Sequence, residues 1–227
     1  MASASIQLNG ANALVCGASG GLGQAITAIL AEAGATVTAV GRNSQRLVAT
    51  GAASWGELDL RTPDACAQAV NLARAHGPID IVVNAVGVVA FGPVSDVSID
   101  AMEELFLTNV FVPIMLSKAS LPHMASGGVI VQISGVIAEQ NLPGMATYGA
   151  SKAALRAFDE AFAREARRAK IRVLDARPPH TETGLAGRAI EGEAPKMPEG
   201  KQPAFVAQRI VEAISSGATD LPSSAFD

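Results

Sequence analysis

Short, almost wholly apolar runs alternate along this chain with longer stretches in which apolar residues recur at helical spacing. The runs predict strands at Ala11–Cys16, Thr36–Gly41, Ser54–Leu58, Ile79–Asn84, Gly128–Ser134 and Ile171–Ala176. The helical stretches are Leu22–Ala33, Ser44–Ala49, Pro63–His76, Ile99–Met124, Tyr148–Ala169 and Pro203–Ser216. Thr62-Pro63 is a good helix start, a capping hydroxyl followed by proline in the first turn. Ile79–Asn84 and Val129–Ile133 show little polar alternation, as strands covered on both faces do. Regular strand–helix alternation predicts an α/β fold, a doubly wound parallel sheet with helices on both faces.

Composition narrows the class. The 227 residues contain no repeat, low-complexity segment or linker, so one domain over residues 1–227 is expected. Net charge is −4 with no basic block, which argues against nucleic acid as a partner. No apolar run reaches the roughly 20 residues of a membrane span, so no membrane partner is expected. Met1–Gly10 has neither the charged nor the apolar region of a secretion signal. Cys16 and Cys66 lack metal-ligand spacing, and His76, His123 and His180 are scattered. A reduced, cytoplasmic protein without a metal site is expected. An apolar fraction of 49% against 17% charged residues hints at subunit contacts.

Chemistry concentrates in Met145–Lys152. Tyr148, the only tyrosine, precedes Lys152 by four residues, so on a helix both side chains leave one face a turn apart. An ammonium beside a phenol lowers its pKa toward a working value, and such a pair can move a proton to or from an oxygen. Alone, the pair also fits two solvated surface side chains. The first strand ends in Cys16-Gly17-Ala18-Ser19-Gly20-Gly21-Leu22-Gly23 and a helix follows. Glycines there let backbone N–H groups approach a pyrophosphate at the helix N-terminus. Gly17, Ser19, Gly21, Leu22 and Gly23 are the candidate contacts, with a plain tight turn as the alternative. The second strand ends Val40-Gly41-Arg42-Asn43, where a dinucleotide's adenosine ribose would lie. Gly41 leaves room and Arg42 offers a fixed bidentate cation, which favours NADP(H) over NAD. Asp59 could accept from the adenine amino group or cap its own turn.

With Gly17-x-x-x-Gly21-x-Gly23, Asn84-Ala85-Val86-Gly87, Asn109, Ser134 and Tyr148-x-x-x-Lys152 in order, the chain resembles the short-chain dehydrogenase/reductases from Gly10 to about Ser216. The resemblance implies a Rossmann-type fold and hydride exchange between a nicotinamide and a carbonyl or alcohol. Tyr148 would be the acid/base. Lys152 would lower its pKa and hold the nicotinamide ribose. Asn109 would support a water near Lys152, and a serine near Ser134 would bond the substrate oxygen. Asn84 and Gly87 would border the adenosine, and Thr181 and Thr183 would meet the nicotinamide amide or phosphates. The chain departs from the family pattern at Ala85, at Cys16, and at Arg177-Pro178-Pro179-His180. The main departure is Gly135, where an ungapped count back from Tyr148 places the family's serine. Either the backbone bends so that Ser134 serves, or Thr147 or a water replaces it, or turnover is lost.

Substrate walls are expected from Val88–Gly92, Val136–Gly144 and Pro179–Gln202. The first two are largely apolar, and the third reads as a short mobile lid over about 179–202. An apolar carbonyl compound or its alcohol is the expected substrate, with His180 a loop residue of no catalytic role. Leu155, Phe158 and Phe162 form one helix stripe and Ala150, Ala154, Ala157 and Ala161 another, so a second subunit is expected to cover that helix. The resemblance implies a homodimer or homotetramer through this helix and Ile99–Met124. The competing reading is a catalytically weak, dinucleotide-binding sensor or scaffold of the same fold.

Overall fold

The computed structural model describes residues 5–227; the first four residues of the Met1–Gly10 stretch lie outside it. Seven strands, β1 (Asn12–Cys16), β2 (Thr36–Gly41), β3 (Ser54–Glu57), β4 (Ile79–Asn84), β5 (Met124–Ile133), β6 (Arg172–Ala176) and β7 (Asp220–Leu221), form one sheet in the order β3-β2-β1-β4-β5-β6-β7. Every pairing is parallel. Each predicted strand is present, and the brief β7 closes the β6 edge.

Period-two alternation distributes each strand between two cores. Ala13 and Val15 join Ile26 and Leu30 of α1 (Gly21–Glu32) and Ile210 and Ile214 of α7 (Pro203–Ser216) on one face. Leu14 and Cys16 join Val70 of α3 (Pro63–Arg74), Leu116 of α5 (Val112–Ser120) and Phe162 of α6 (Ala146–Ala166) on the other. Fully burying each such aliphatic side chain is worth about 1.5–3 kcal/mol. Helix starts follow local chemistry: Thr62 accepts from Ala65 N–H at α3, and Asn43 does the same for Arg46 at α2 (Ser44–Val48). Gly20, at the start of α1, brings no side chain to its cap and leaves the first helical N–H groups open toward the cleft.

Two departures matter. The helix expected at Ile99–Met124 is α4 (Ile99–Phe106) and α5 separated by a π turn at Leu107–Phe111, with Thr108, Asn109 and Val110 buried. An inserted π turn re-aims side chains and is frequent at functional sites. Ile99–His123 is also long and apolar enough, by length and composition alone, to cross a membrane, which the run-length reading missed. Half of its most apolar stretch is buried inside the fold, as in a core helix.

The chain leaves β1 toward β2 and β3, then crosses back to β4 on β1's other side. Loops from these neighbouring strands diverge and open a cleft at the strands' carboxyl ends.

Candidate active site

Gly17 has φ of +80° and lies against the turn after β4. A Cβ there would come within 2.6 Å of Ala85 C and O. A Cβ on Gly23 would strike Gly17 O, and one on Gly21 would come within 2.9 Å of Thr183. Backbone therefore forms this wall, as the glycine spacing predicts. The glycines leave this backbone cradle open beside the uncapped N-terminus of α1, where N–H groups can meet a phosphate.

Two cavities flank the cradle. The first is lined by Gly21, Leu22, Gly23, Val89, Phe91, Ile137, Gln140, Leu142, Met145, Tyr148, Lys152, His180, Thr181, Thr183 and Met197, among others. The second is lined by Gly17, Ser19, Gly41, Arg42, Asn43, Arg46, Asp59, Arg61, Gly87 and Thr108, among others. The Ser19 hydroxyl occupies the room left by Gly41: a Cβ there would come within 2.5 Å of Ser19 Oγ. Ser19, Arg42 and Arg46 thus converge on one end. Asp59 lines this cavity, but its carboxylate takes Arg61 Nη2 at 2.5 Å and Arg61 N–H at 3.3 Å. The turn-capping role is the one its contacts show. Arg61, which also reaches Glu104, holds Asp59 below the usual carboxylate range.

Tyr148 and Lys152 lie in the first two turns of α6. The half-buried Tyr148 ring packs beside Val89, Phe91, Ile137 and Met145 on one side and Val88, Ala90 and Leu105 on the other. Burial pushes the phenol up to about 12. Lys152 Nζ donates to Ile133 O at 2.8 Å, and burial lowers the ammonium to about 8 against the opposing pull of Asp175 and Asp159. Dehydration therefore raises the phenol, and the ammonium donates to a strand end.

Asn109 braces this arrangement. Its Oδ1 accepts from Val88 N–H at 3.0 Å, and its Nδ2 donates to Val88 O and to Ser151 Oγ. Ser151 Oγ in turn donates to Tyr148 O. A Cβ on Gly87 would lie 3.4 Å from Asn109 Oδ1 and 3.5 Å from Lys152 Nζ, so the three residues meet at one point. Asn84 lines neither cavity. It donates to Gln132 and accepts from Val86 N–H, supporting the Ala85–Gly87 turn from beneath.

Ser134 lines the first cavity with its hydroxyl engaged by β6. It is fully buried and its Oγ donates to Asp175 Oδ1 at 2.5 Å, so the hydroxyl hydrogen that a substrate oxygen would need is already committed. Asp175 also accepts from Arg177, whose guanidinium reaches Glu139 and Asp220 as well. Alternation along β5 explains the direction: Gln132 and Ser134 share the α6 side. Gly135 follows at φ +83° and ψ 163°, a conformation essentially restricted to glycine. The backbone does bend after Ile133, and Ser134 lines the first cavity, but its hydroxyl hydrogen is directed at Asp175.

The polar group that sequence reasoning missed is Gln140. It is exposed, its backbone N–H bonds Val136 O, and its carboxamide has no partner among the described residues. Nothing in the sequence marks a loop glutamine, because only the turn at Gly135 aims it. Thr181 Oγ1 donates to Pro179 O, while Thr183 faces Gly21. His180 lies 3.4 Å from Glu182. The lid is also pinned more firmly than a Gly/Pro-rich loop suggests. Glu191 pairs with Ala90, and its carboxylate accepts from Ser98 N–H and Oγ at the start of α4.

Comparison with known proteins agrees with this geometry. The family model described as short chain dehydrogenase matches residues 11–194. A short chain dehydrogenase of Pseudocercospora fijiensis is 34% identical over 172 residues, covering 70% of this chain but only 56% of that protein's length. Gluconate 5-dehydrogenase of Gluconobacter oxydans is 32% identical over 197 residues, covering 82% of this chain and 77% of the relative. A solved short chain dehydrogenase from Burkholderia cenocepacia in complex with NADP superimposes with a TM-score of 0.85 at 27% identity, over 96% of this chain and 97% of the other. With a seven-stranded parallel sheet, a glycine cradle at its cleft and Tyr148 and Lys152 on one helix face, the chain belongs to the short-chain dehydrogenase/reductase family.

Proposed function

We propose that the protein is an NADP(H)-dependent oxidoreductase that interconverts an apolar carbonyl compound and its alcohol, with Tyr148 as acid/base. One observation carries the reading: the cavity holding Tyr148 and Lys152 adjoins, across the glycine cradle, a second cavity rimmed by Ser19, Arg42 and Arg46. Arg42 and Arg46 have no carboxylate partner among the described residues, and no acid follows β2 to repel a 2′-phosphate. The NADP bound by the Burkholderia neighbour supports the same choice. The bound nicotinamide would supply or take the hydride. Gly17, Gly21, Leu22, Gly23, Gly87 and Thr183 would hold it, with Lys152 at its ribose. Arg42→Ala is expected to weaken NADPH binding about ten- to a hundredfold and NADH binding less than twofold, read by nicotinamide fluorescence. Equal weakening of both cofactors would remove Arg42 as the phosphate reader.

In reduction, Tyr148 donates its proton to the carbonyl oxygen, and Val89, Phe91, Leu142 and Met145 exclude water around it. The developing oxyanion needs a second donor. With the Ser134 hydrogen on Asp175, the free carboxamide of Gln140 is the donor this reading assigns. Gln140→Ala is expected to lower kcat about tenfold or more with NADPH affinity unchanged. Ser134→Ala should mainly lower the melting temperature, because it leaves the Asp175 carboxylate short of a bond. The reverse pattern in steady-state assays and melts would return the role to the serine.

The sensor reading keeps one specific support, the glycine-only backbone at 135 in place of a hydroxyl. It requires NADPH binding without Tyr148-dependent turnover on any carbonyl compound. A dimer or tetramer belongs to the leading reading, supported by exposed Phe106 and Phe111 beside the exposed Ala150, Ala157 and Ala161 of α6. So does a cytoplasmic setting, which suits two unpaired cysteines.

A further inference from the structure

The two cavities share six lining residues: Gly20, Ala85, Val86, Gly87, Leu185 and Arg188. Five are uncharged. Arg188 alone brings a charge to the junction, and it comes from the lid, in the short 3₁₀ turn Ala186–Arg188. Its Nε donates to Gly184 O at 3.1 Å and its Nη2 to Thr183 O at 3.3 Å. Both are carbonyls of the lid itself, so they orient the guanidinium without neutralising it. Among the arginines lining the second cavity, Arg61 is paired with Asp59 and Glu104, whereas Arg188 meets no carboxylate among the described residues. Across the junction stand Gly20 and the uncapped N-terminus of α1, with Thr183 against Gly21.

An exposed guanidinium on one wall and open helical N–H groups on the other make a slot that favours an anion. A dinucleotide placed across both cavities has its pyrophosphate at that junction. We infer that Arg188 is a pyrophosphate-binding residue, a lid cation that closes the cradle over the cofactor's diphosphate, distinct in its task from Arg42 at the 2′-phosphate. This assignment rests on the dinucleotide reading above. It gives the lid a reason to be held shut at Glu191–Ser98 on one side: the segment from Thr181 to Glu191 then spans from the glycine cradle to the start of α4 with Arg188 over the phosphates.

The test separates the two anionic centres of the cofactor by using fragments that carry one each. ADP-ribose has the pyrophosphate without a 2′-phosphate, and 2′-AMP has the reverse. Each is titrated against bound NADPH by fluorescence for wild-type protein and for Arg188→Gln, Arg188→Lys and Arg42→Ala, with melting temperatures as the fold control. Arg188→Gln is expected to weaken NADPH and ADP-ribose on the order of tenfold or more and leave 2′-AMP within twofold. Arg188→Lys should recover part of the loss. Arg42→Ala should show the complementary pattern. ADP-ribose bound equally by wild type and Arg188→Gln would overturn the inference while leaving the NADP(H) reading intact. So would equal losses for ADP-ribose and 2′-AMP, which would mean a general electrostatic or structural effect. Wild-type protein that binds neither NADPH nor NADH would remove both the inference and the reading on which it rests.

Discussion

Tyr148→Phe is expected to reduce carbonyl turnover about a thousandfold while leaving NADPH affinity within about twofold. The substitution keeps the ring that packs against Phe91, Ile137 and Met145 and removes only the hydroxyl, so a folding defect is not the anticipated result. No other phenol exists in the chain to replace it. The pH profile follows from the same burial. Reduction needs Tyr148 protonated, and with the phenol pushed up to about 12 that form persists across the usable range. Lys152, lowered to about 8 by burial, is the group that titrates within it. Below that value the ammonium is present and the reduction rate should be flat. Above it the ammonium is lost and the rate should fall, approaching tenfold per pH unit. Steady-state reduction of an apolar carbonyl substrate between pH 6 and pH 9.5, together with fluorescence titration of NADPH, measures both. Retention of more than a tenth of wild-type kcat by Tyr148→Phe would take the acid role away from this residue.

The sheet was legible because its signal is local and redundant. Runs such as Ile79–Asn84, with four aliphatic residues and no regular polar alternation, are buried by the structure on both faces. The glycine cradle was legible for another reason: Gly17, Gly21 and Gly23 stand where any Cβ would collide with backbone or with Thr183. The site chemistry was only half visible. Spacing by four placed Tyr148 and Lys152 on one helix face, but it could not show where the ammonium would point or how strongly burial would act on the phenol. Those are tertiary quantities, set by Ile133 O at the end of a strand and by the apolar walls from residues 88–91 and 137–145. Ser134 shows the limit most clearly. A serine at a strand end near the expected position looks like a donor until its partner is known, and that partner, Asp175, is 41 residues away on β6. Gln140 and Arg188 were missed because each is an ordinary polar residue in a loop, given a task only by the fold's placement of that loop against a cavity.

Asp159→Asn is expected to stabilise the protein, increasingly so as the pH rises. Asp159 lies seven residues beyond Lys152 on α6, two turns along the same face, and is buried with neither carboxylate oxygen hydrogen-bonded among the described residues. Burial first, and the charge of Asp175 second, raise its pKa well above the ordinary value, while Lys152 pulls it down without prevailing. The folded chain therefore holds a proton that the unfolded chain releases at an ordinary aspartate value near 3.9. Stability from this group is fully present below that value and falls as pH rises toward the raised folded pKa, by about 1.4 kcal/mol per pH unit within the window. An asparagine cannot ionise and removes the fall. The variant should match wild type within about 0.5 kcal/mol near pH 4 and exceed it by about 1–3 kcal/mol at pH 8, the scale of an unsatisfied buried polar or charged group. In a chain of this size that is several degrees in melting temperature. The gain has a catalytic counterpart at pH values where Asp159 is ionised, because its carboxylate is then one of the two that favour the Lys152 ammonium. Losing it should move the alkaline limb of the rate profile to lower pH, so the substitution trades activity at pH 8 for stability. Melting curves across pH 4–9 and reduction rates across pH 5–9 measure both arms. Parallel melting profiles for wild type and Asp159→Asn would mean that the folded protein ionises Asp159 as readily as the unfolded chain does, and the stability prediction would fail.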